Sequence, residues 1–243
     1  MQALTGPEAV PADISVWRLP VDRNAAEDWL VLTSPEQDRA WRFRLEADRA
    51  RYVGARAGLR RLLAGRLGLA PAQVPLRAGK HGKPELGQGA SCFFNVSHAG
   101  GYALVAMSDR REVGVDVECE QDIFDLEPLA GYALLPAERM GWRGLPPAAA
   151  FLRRWTGKEA ALKAWGVGVA QHLLQVQVHP GGRAGEIAVS AACADWPACE
   201  ACELAMPAGY VAALAWLPAV RDPEDRAGAI LPSRSARAPG IRQ

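Results

Sequence analysis

The residues best suited to chemistry are two acids that lie two positions apart. Asp116 and Glu118 alternate with valines, so on a β-strand both carboxylates point to one face and the valines to the other. Two carboxylates side by side repel each other unless a positive charge lies between them. Mg²⁺ would supply that charge, and it typically combines one or two protein carboxylates with substrate phosphate oxygens. The spacing therefore predicts a Mg²⁺ site, with a solvent-facing strand edge as the alternative.

A second candidate is a Glu–Lys pair in a helical segment. Glu159 and Lys163 are four residues apart and share a helix face, where such pairs often do no more than stabilise the helix. The chain has only four lysines among its 28 basic residues, and they lie in two short segments as Lys80, Lys83, Lys158 and Lys163. An ammonium and a planar guanidinium are not interchangeable around phosphate. We therefore expect Glu159 to be a third metal ligand or a general base, and Lys163 to neutralise phosphate charge.

A histidine completes the set. Ser97 and His98 end an apolar strand before a Gly-Gly turn, one hairpin away from Asp116, so the same pocket could hold all three. A structural role for the lone histidine is the alternative. The sequence thus combines paired carboxylates, a Glu–Lys helix, an arginine-rich helix and a Gly/Lys loop. These features together suit an enzyme that handles a pyrophosphate-type substrate. The sequence contains no Walker loop and no Gly-x-Ser-x-Gly motif.

Composition excludes several classes of protein. The net charge is +1, which does not indicate a nucleic-acid surface, and no run of about 18 apolar residues indicates a membrane span. Residues 1–13 lack the pattern of a secretory signal, so we expect a cytoplasmic protein. The five cysteines show no framework spacing, and the Cys199–Cys202 pair is expected to be reduced and structural rather than a zinc or redox site.

The hydrophobic pattern predicts a mixed α+β fold. A helical region from Ser34 to about Gly68, with Ser34 as N-cap and a break near 46–48, carries nine arginines, and a second helix covers 148–166. Predicted strands cover residues 14–19, 92–98, 102–107, 112–118, 174–178, 186–189 and 210–216. The strands at 92–118 are expected to form an antiparallel meander. The order predicts two α/β halves, 1–112 and 113–219, each a small, mostly antiparallel sheet packed on helices, followed by a disordered tail at 220–243.

These motifs together resemble the 4′-phosphopantetheinyl transferases of the surfactin-synthetase-activating type. Residues 114–118 follow the family pattern Gly-hydrophobic-Asp-x-Glu, and residues 155–163 follow Trp-x-x-Lys-Glu-x-x-x-Lys. The Gly-Lys-Pro at 82–84 and the Phe-Asn-Val-Ser-His at 94–98 precede them in the family's order. Each motif alone is weak, but four in order are specific.

The resemblance implies a pseudo-dimer of two similar α/β halves with the active site in the cleft between them. It implies a monomeric enzyme that binds coenzyme A with Mg²⁺. This enzyme would transfer the 4′-phosphopantetheine arm to a serine of an acyl or peptidyl carrier protein and release adenosine 3′,5′-bisphosphate. Neither a nucleic acid nor a membrane is expected as a partner.

The resemblance also assigns roles to residues. Asp116, Glu118 and Glu159 would hold Mg²⁺, Glu159 would also take the proton of the attacking serine, and Lys163 would stabilise the departing phosphate. The other coenzyme A contacts that it implies are Arg51, Gly82, Lys83, Pro84, Ser97, His98 and Lys158. Arg51 and His98 are expected at the 3′-phosphate. Family members have lysines early in the first helix, where this chain has none, and we expect Arg39, Arg42 or Arg44 to replace them.

Two other functions remain open from the sequence. A different Mg²⁺-dependent enzyme, such as a nucleotide pyrophosphohydrolase, would need only the metal carboxylates. A binding module could use the arginine-rich helix to hold RNA or an acidic protein. For a transferase, the arginines after Glu46 and the pair Arg153–Arg154 are candidates for steering an acidic carrier protein to the cleft.

Overall fold

The structure is a computed structural model of the 243-residue chain, and it describes residues 1–21, 25–79, 83–87, 92–122, 125–139 and 147–220. The strands are β1 (Gln2–Leu4), β2 (Ile14–Pro20), β3 (Leu76–Ala78), β4 (Pro84–Leu86), β5 (Phe93–Ala99), β6 (Tyr102–Ser108), β7 (Val113–Cys119), β8 (Val176–Pro180), β9 (Glu186–Ala191), β10 (Glu200–Glu203) and β11 (Tyr210–Trp216). The helices are α1 (Ala26–Trp29), α2 (Ser34–Trp41), α3 (Glu46–Leu67), α4 (Leu126–Ala133), α5 (Pro136–Arg139), α6 (Pro147–Trp165) and α7 (Val169–His172). The predicted tail lies outside the described residues from 221 onward.

Two antiparallel sheets form the centre of the fold. One has the order β1-β2-β6-β5 and the other has the order β7-β11-β10-β9-β8. Along β6, Val105 packs toward α3 whereas Leu104 packs toward the second sheet. Along β11, Leu214 faces the first sheet whereas Ala213 faces α6. The period-2 alternation of these strands therefore builds four layers: α3, first sheet, second sheet, α6. The predicted fold class, antiparallel sheets packed on helices, is confirmed.

The predicted meander of β5, β6 and β7 is wrong at its last strand. β5 and β6 pair as expected, but β7 pairs with β11 and becomes the edge of the second sheet. β5 is the edge of the first sheet, and the two edges are joined by a side chain: the Val115 N–H donates to Asn95 Oδ1 at 3.0 Å. Local periodicity predicts a strand but not its partner, because pairing depends on which surfaces remain to be buried. This junction of two sheet edges lines the site described below.

The start of α2 differs by one residue from the prediction. Thr33, not Ser34, is the N-cap, and its N–H donates to the Glu36 carboxylate at 2.9 Å. Glu36 also accepts from Arg60, which is buried in α3 and donates further to the Val74 carbonyl. One carboxylate thus caps α2 and ties it to α3. The break between these helices and the end of α3, where Gly68 adopts a φ of 66°, agree with the sequence.

Two further structural findings bear on the sequence predictions. None of the helices within the described ranges is long and apolar enough to cross a membrane. None of the five cysteines, all within the described ranges, is in a disulfide, and Cys202 lies buried on β10, a strand that the sequence did not predict. Burial raises the pKa of the Cys199 and Cys202 thiols to about 12, so both stay protonated near neutral pH.

Candidate active site

A glycine allows α6 to lie directly on β7. A Cβ at Gly114 would overlap the backbone carbonyl oxygen of Ala160 in α6. Because glycine has no side chain, the helix axis approaches the strand closely at this point. The approach places Glu159 and Lys163 of α6 against Asp116 of β7, as the shared helix face and the strand alternation predicted.

The centre of the site is a buried carboxylate with a lysine partner. Asp116 is 1% exposed, and its Oδ1 lies 2.5 Å from Lys163 Nζ and accepts from Ser97 Oγ at 2.8 Å. Lys163 Nζ also lies 3.2 Å from Glu159 Oε2. The two carboxylates raise the pKa of Lys163 by more than burial lowers it, so the ammonium stays charged. The solvent-exposed strand edge considered for Asp116 is therefore excluded.

Two more carboxyls in this site have strongly raised pKa values. Burial raises the pKa of Glu118 to about 7, and the charge of Glu159 adds to this shift. Burial likewise raises the pKa of Glu159 to about 7, with a further increase from Asp116. Glu118 Oε1 accepts from the Trp155 indole N–H at 3.1 Å, which holds its side chain in place. The site thus has three carboxyl groups, and Lys163 is in contact with two of them.

The donor set fits a hard divalent cation. Asp116 Oδ2 is buried and has no hydrogen-bond partner among the described residues, and Glu118 and Glu159 supply further carboxylate oxygens nearby. Within the part of the chain that the structure describes, however, no three acidic, histidine or cysteine side chains are arranged to enclose a metal ion. The Lys163 ammonium lies close to both Asp116 and Glu159 and supplies positive charge next to these carboxylates.

A cavity of about 410 Å³ adjoins this group through Lys163, whereas Asp116, Glu118 and Glu159 are not among its lining residues. Lys163 and residues 166–169 form one wall and β5 with α3 forms the other. Its basic and polar lining residues are Arg39, Tyr52, Arg56, Lys83, Asn95, His98 and Lys163. Lys83 Nζ lies 3.5 Å from the Lys163 carbonyl oxygen, so it bridges the two walls. The volume and the cationic lining suit a ligand with phosphate groups.

His98 lines this cavity, and Arg51, which is not among the lining residues, lies close enough for its charge to act on His98. Desolvation by the surrounding protein lowers the pKa of His98, and the positive charges of Arg51 and Lys163 lower it further, although the ring remains accessible to solvent. Arg51 is held by an ion pair with Asp48, one helical turn earlier. Of the three arginines expected to replace the family's lysines, Arg39 lines the cavity. Arg42 and Arg44 are exposed and are not among its lining residues.

Both parts of the chain match known families. Residues 112–215 match the family model described as 4′-phosphopantetheinyl transferase superfamily, and residues 17–110 match the one described as 4′-phosphopantetheinyl transferase, N-terminal. The chain is 38% identical over 168 residues to the 4′-phosphopantetheinyl transferase HetI of Nostoc sp., covering 65% of this chain and 71% of that protein. The chain belongs to the 4′-phosphopantetheinyl transferase superfamily. It is therefore a transferase, and the resemblance inferred from the motifs is confirmed.

Other relatives carry similar names. A phosphopantetheinyl transferase of Thraustochytrium sp. is 31% identical over 181 residues, which are 65% of this chain and 63% of that protein. The 4′-phosphopantetheinyl transferase AcpT of Salmonella typhimurium is 38% identical over 117 residues, which are 45% of this chain and 61% of that protein.

One residue of the transferase motif does not reach the cavity. Lys158 is fully buried on another face of α6, where its Nζ donates to Glu138 Oε2 at 2.6 Å and to the carbonyls of Ala133 and Leu173. The expectation that Lys158 binds coenzyme A is therefore wrong. The next residue, Glu159, faces the site because adjacent helical residues point about 100° apart. Gly82, another expected contact, lies outside the described residues.

Sequence reasoning also missed residues of this transferase. Glu138 is buried, and besides Lys158 it accepts from the backbone N–H groups of Leu135 and Val178. Its only signal in the sequence is a position two residues after a proline in a short helix, which does not reveal burial. Tyr52 lines the cavity between the guanidinium groups of Arg39 and Arg56.

The expected carrier contacts at Arg153 and Arg154 also need correction. Arg154 is buried and donates to the Ala150 carbonyl at 3.0 Å, and Arg153 forms an ion pair with Glu203. Adjacent helical residues point about 100° apart, so Arg154 turns inward while Arg153 stays partly exposed. Arg154 is therefore not available for steering a partner, and the charge of Arg153 is already paired with Glu203.

Proposed function

We propose that this transferase moves the 4′-phosphopantetheine arm of coenzyme A to a serine of an apo acyl or peptidyl carrier protein, with Mg²⁺, and releases adenosine 3′,5′-bisphosphate. The observation that carries the proposal is the contact of Asp116 and Glu159 with Lys163, a lysine that also lines a cationic cavity. Family membership supplies the reaction class, and the names of the relatives support the phosphopantetheinyl group.

The proposed reaction exchanges one phosphorus–oxygen bond for another. The carrier serine Oγ bonds to the phosphorus that bears the pantetheine arm, and the bond from that phosphorus to the oxygen bridging to the nucleotide breaks. The serine proton passes to Glu159, directly or through water. A carboxyl with a pKa of about 7 is well matched to this step, because it is substantially ionised near neutral pH and still basic.

Charge neutralisation is the second task of the site. Lys163, whose raised pKa keeps it protonated, stabilises the negative charge on the departing bisphosphate. Asp116, Glu118 and Glu159 would hold Mg²⁺, which would neutralise pyrophosphate oxygens when bound. Lys83 with Pro84 contacts the nucleotide, and Arg39, Arg51 and His98 meet the 3′-phosphate. Ser97 contacts a phosphate and also donates to Asp116 Oδ1.

The test is intact-protein mass spectrometry of an apo carrier protein incubated with the enzyme, coenzyme A and Mg²⁺, beside the Asp116→Ala variant. We expect the carrier to gain one phosphopantetheine arm with the wild type and none with the variant. Carriers of fatty-acid, polyketide and nonribosomal-peptide origin are tested in parallel. Cleavage of coenzyme A without carrier modification would instead identify a pyrophosphohydrolase, and intact coenzyme A with every carrier would refute the proposal.

A further inference from the structure

Three of the exposed large apolar side chains lie at the end of α1, the end of α2 and the start of α3. Leu30 is 81% exposed, and Trp41 and Leu45 are each 64% exposed. Trp41 stacks on Trp29 with ring centroids 4.9 Å apart, and the guanidinium of Arg49 lies 4.8 Å from the centre of the Trp41 ring. The Trp29–Trp41 stack brings the ends of α1 and α2 together, and the Arg49–Trp41 contact adds the start of α3. We call Leu30, Trp41, Leu45 and Arg49 together the Trp41 patch. A tryptophan held rigidly between two neighbours but open to solvent is unusual in a surface without a partner.

Arginines border the Trp41 patch. Residues 38–51 contain five arginines against three acids. One of these acids, Asp48, is already paired with Arg51. Arg42 and Arg44 are exposed, and neither these two nor Arg49 forms a salt bridge with any described residue. The unmatched positive charge therefore predicts an acidic partner.

The patch adjoins the catalytic cavity. Arg39, two residues before Trp41 in α2, lines the cavity and lies 5.4 Å from the Tyr52 ring centre. Phe43, two residues after Trp41, packs on the same ring with centroids 5.4 Å apart. The end of α2 and the residue Phe43 that follows it therefore connect the patch to the cavity lining through Arg39 and Tyr52. Exposed aromatic and arginine side chains beside a site that modifies a protein have the composition of an interface centre.

We infer that the Trp41 patch is the docking surface for the carrier protein, with Trp41, Leu30 and Leu45 contacting an apolar ridge of the carrier and Arg42, Arg44 and Arg49 contacting its acidic side chains. This inference rests on the proposed function. A second exposed apolar pair, Leu129 and Tyr132 on α4, offers an alternative surface. The arginine that contacts α4, Arg139, already donates to the Gly131 carbonyl. Charge complementarity therefore favours the Trp41 patch.

The first experiment measures steady-state kinetics with an apo carrier for Trp41→Ala and, as the matched control, Tyr132→Ala. We expect Trp41→Ala to raise the carrier KM by about tenfold or more with kcat and the coenzyme A KM unchanged. Tyr132→Ala should leave all three within about twofold. A carrier KM that is unchanged in Trp41→Ala, or raised only in Tyr132→Ala, would overturn the inference.

A second variant protects the test from a folding defect. Arg42→Glu with Arg44→Glu changes only exposed side chains, and it should raise the carrier KM and flatten its dependence on salt. An unchanged salt dependence would count against the inference. Size-exclusion chromatography with light scattering accompanies both variants. A wild-type dimer that becomes a monomer in Trp41→Ala would show that the patch binds a second copy of this chain instead.

Docking is also measured without turnover. A fluorescently labelled carrier with its acceptor serine replaced by alanine is titrated with wild-type enzyme and with Trp41→Ala, and its anisotropy is recorded. Weaker binding to the variant supports the docking surface, and equal binding refutes it. If the wild type fails to modify any carrier, the proposed function falls, and this titration still decides whether the Trp41 patch binds a carrier protein.

Discussion

Lys158 and Glu138 form an ion pair in which neither side chain is exposed, with Nζ and Oε2 2.6 Å apart. The pair joins α6 to α5, and Glu138 also receives the Val178 N–H of β8. Because Glu159 is the next residue of α6, this interior contact fixes the rotation of the helix that carries the proposed base. The lysine in the family motif therefore positions its neighbour in this chain.

Replacing Lys158 should destabilise the fold rather than weaken ligand binding. Lys158→Met leaves Glu138 buried without its charge partner, which we expect to cost about 3–5 kcal/mol of unfolding free energy. Adding Glu138→Gln should restore part of the loss, since an amide needs no counter-charge and can still accept a backbone N–H. Urea denaturation of the three proteins measures this. A stable Lys158→Met protein with a raised coenzyme A KM would contradict the structural role.

The close approach of α6 to β7 at Gly114 predicts that Gly114→Ala lowers both stability and kcat. In Gly114→Ala the new methyl overlaps the backbone of α6, so the helix must move away from β7. We expect a loss of about 1–3 kcal/mol in stability and a larger proportional loss in kcat, because Glu159 and Lys163 move with the helix. Gly65→Ala is the matched control, since its Cβ meets nothing within 4 Å and alanine favours a helix. Equal stability and kcat in both variants would refute the argument.

Glu118 should make the metal-free enzyme less stable as pH rises. Its folded pKa is about 7 against an ordinary value of 4.5, so the folded state binds more protons between these values. Stability is therefore lost as pH increases through this window, by roughly 1–3 kcal/mol. The glutamine in Glu118→Gln cannot ionise. In the presence of a chelator, the melting temperature of this variant minus that of the wild type should therefore increase from pH 5 to pH 7.5. A constant difference across that range would show that Glu118 is not shifted.

Arg39 and Arg42 should differ in their effect on coenzyme A binding. Arg39 lines the cavity, so Arg39→Ala should raise the coenzyme A KM by about tenfold, the usual effect of removing a charged hydrogen bond. Arg42 is exposed outside the cavity, so Arg42→Ala should leave the coenzyme A KM unchanged. The same kinetic assay with varied coenzyme A measures both. A similar increase in the two variants would mean that the helix contributes only a diffuse positive field.

The sequence by itself determined the reaction class, the carboxylates and the main helices. Asp116, Glu118, Glu159 and Lys163 were identified from two local periodicities, because a strand repeats every two residues and a helix places positions i and i+4 on one face. The same local rules located α3 and α6 within one or two residues. The roles of the site residues and the division into halves at 112 stay predictions.

Only the tertiary structure decided which sheet β7 joins and which way each α6 side chain points. Strand partners, the buried pair of Lys158 and Glu138, and the exposed Trp41 depend on contacts between residues far apart in the chain. No local pattern distinguishes Lys163, which lines the cavity, from Lys158, which pairs with the buried Glu138. The physical reason is that burial and charge partners are properties of packed surfaces, which exist only after the elements have assembled.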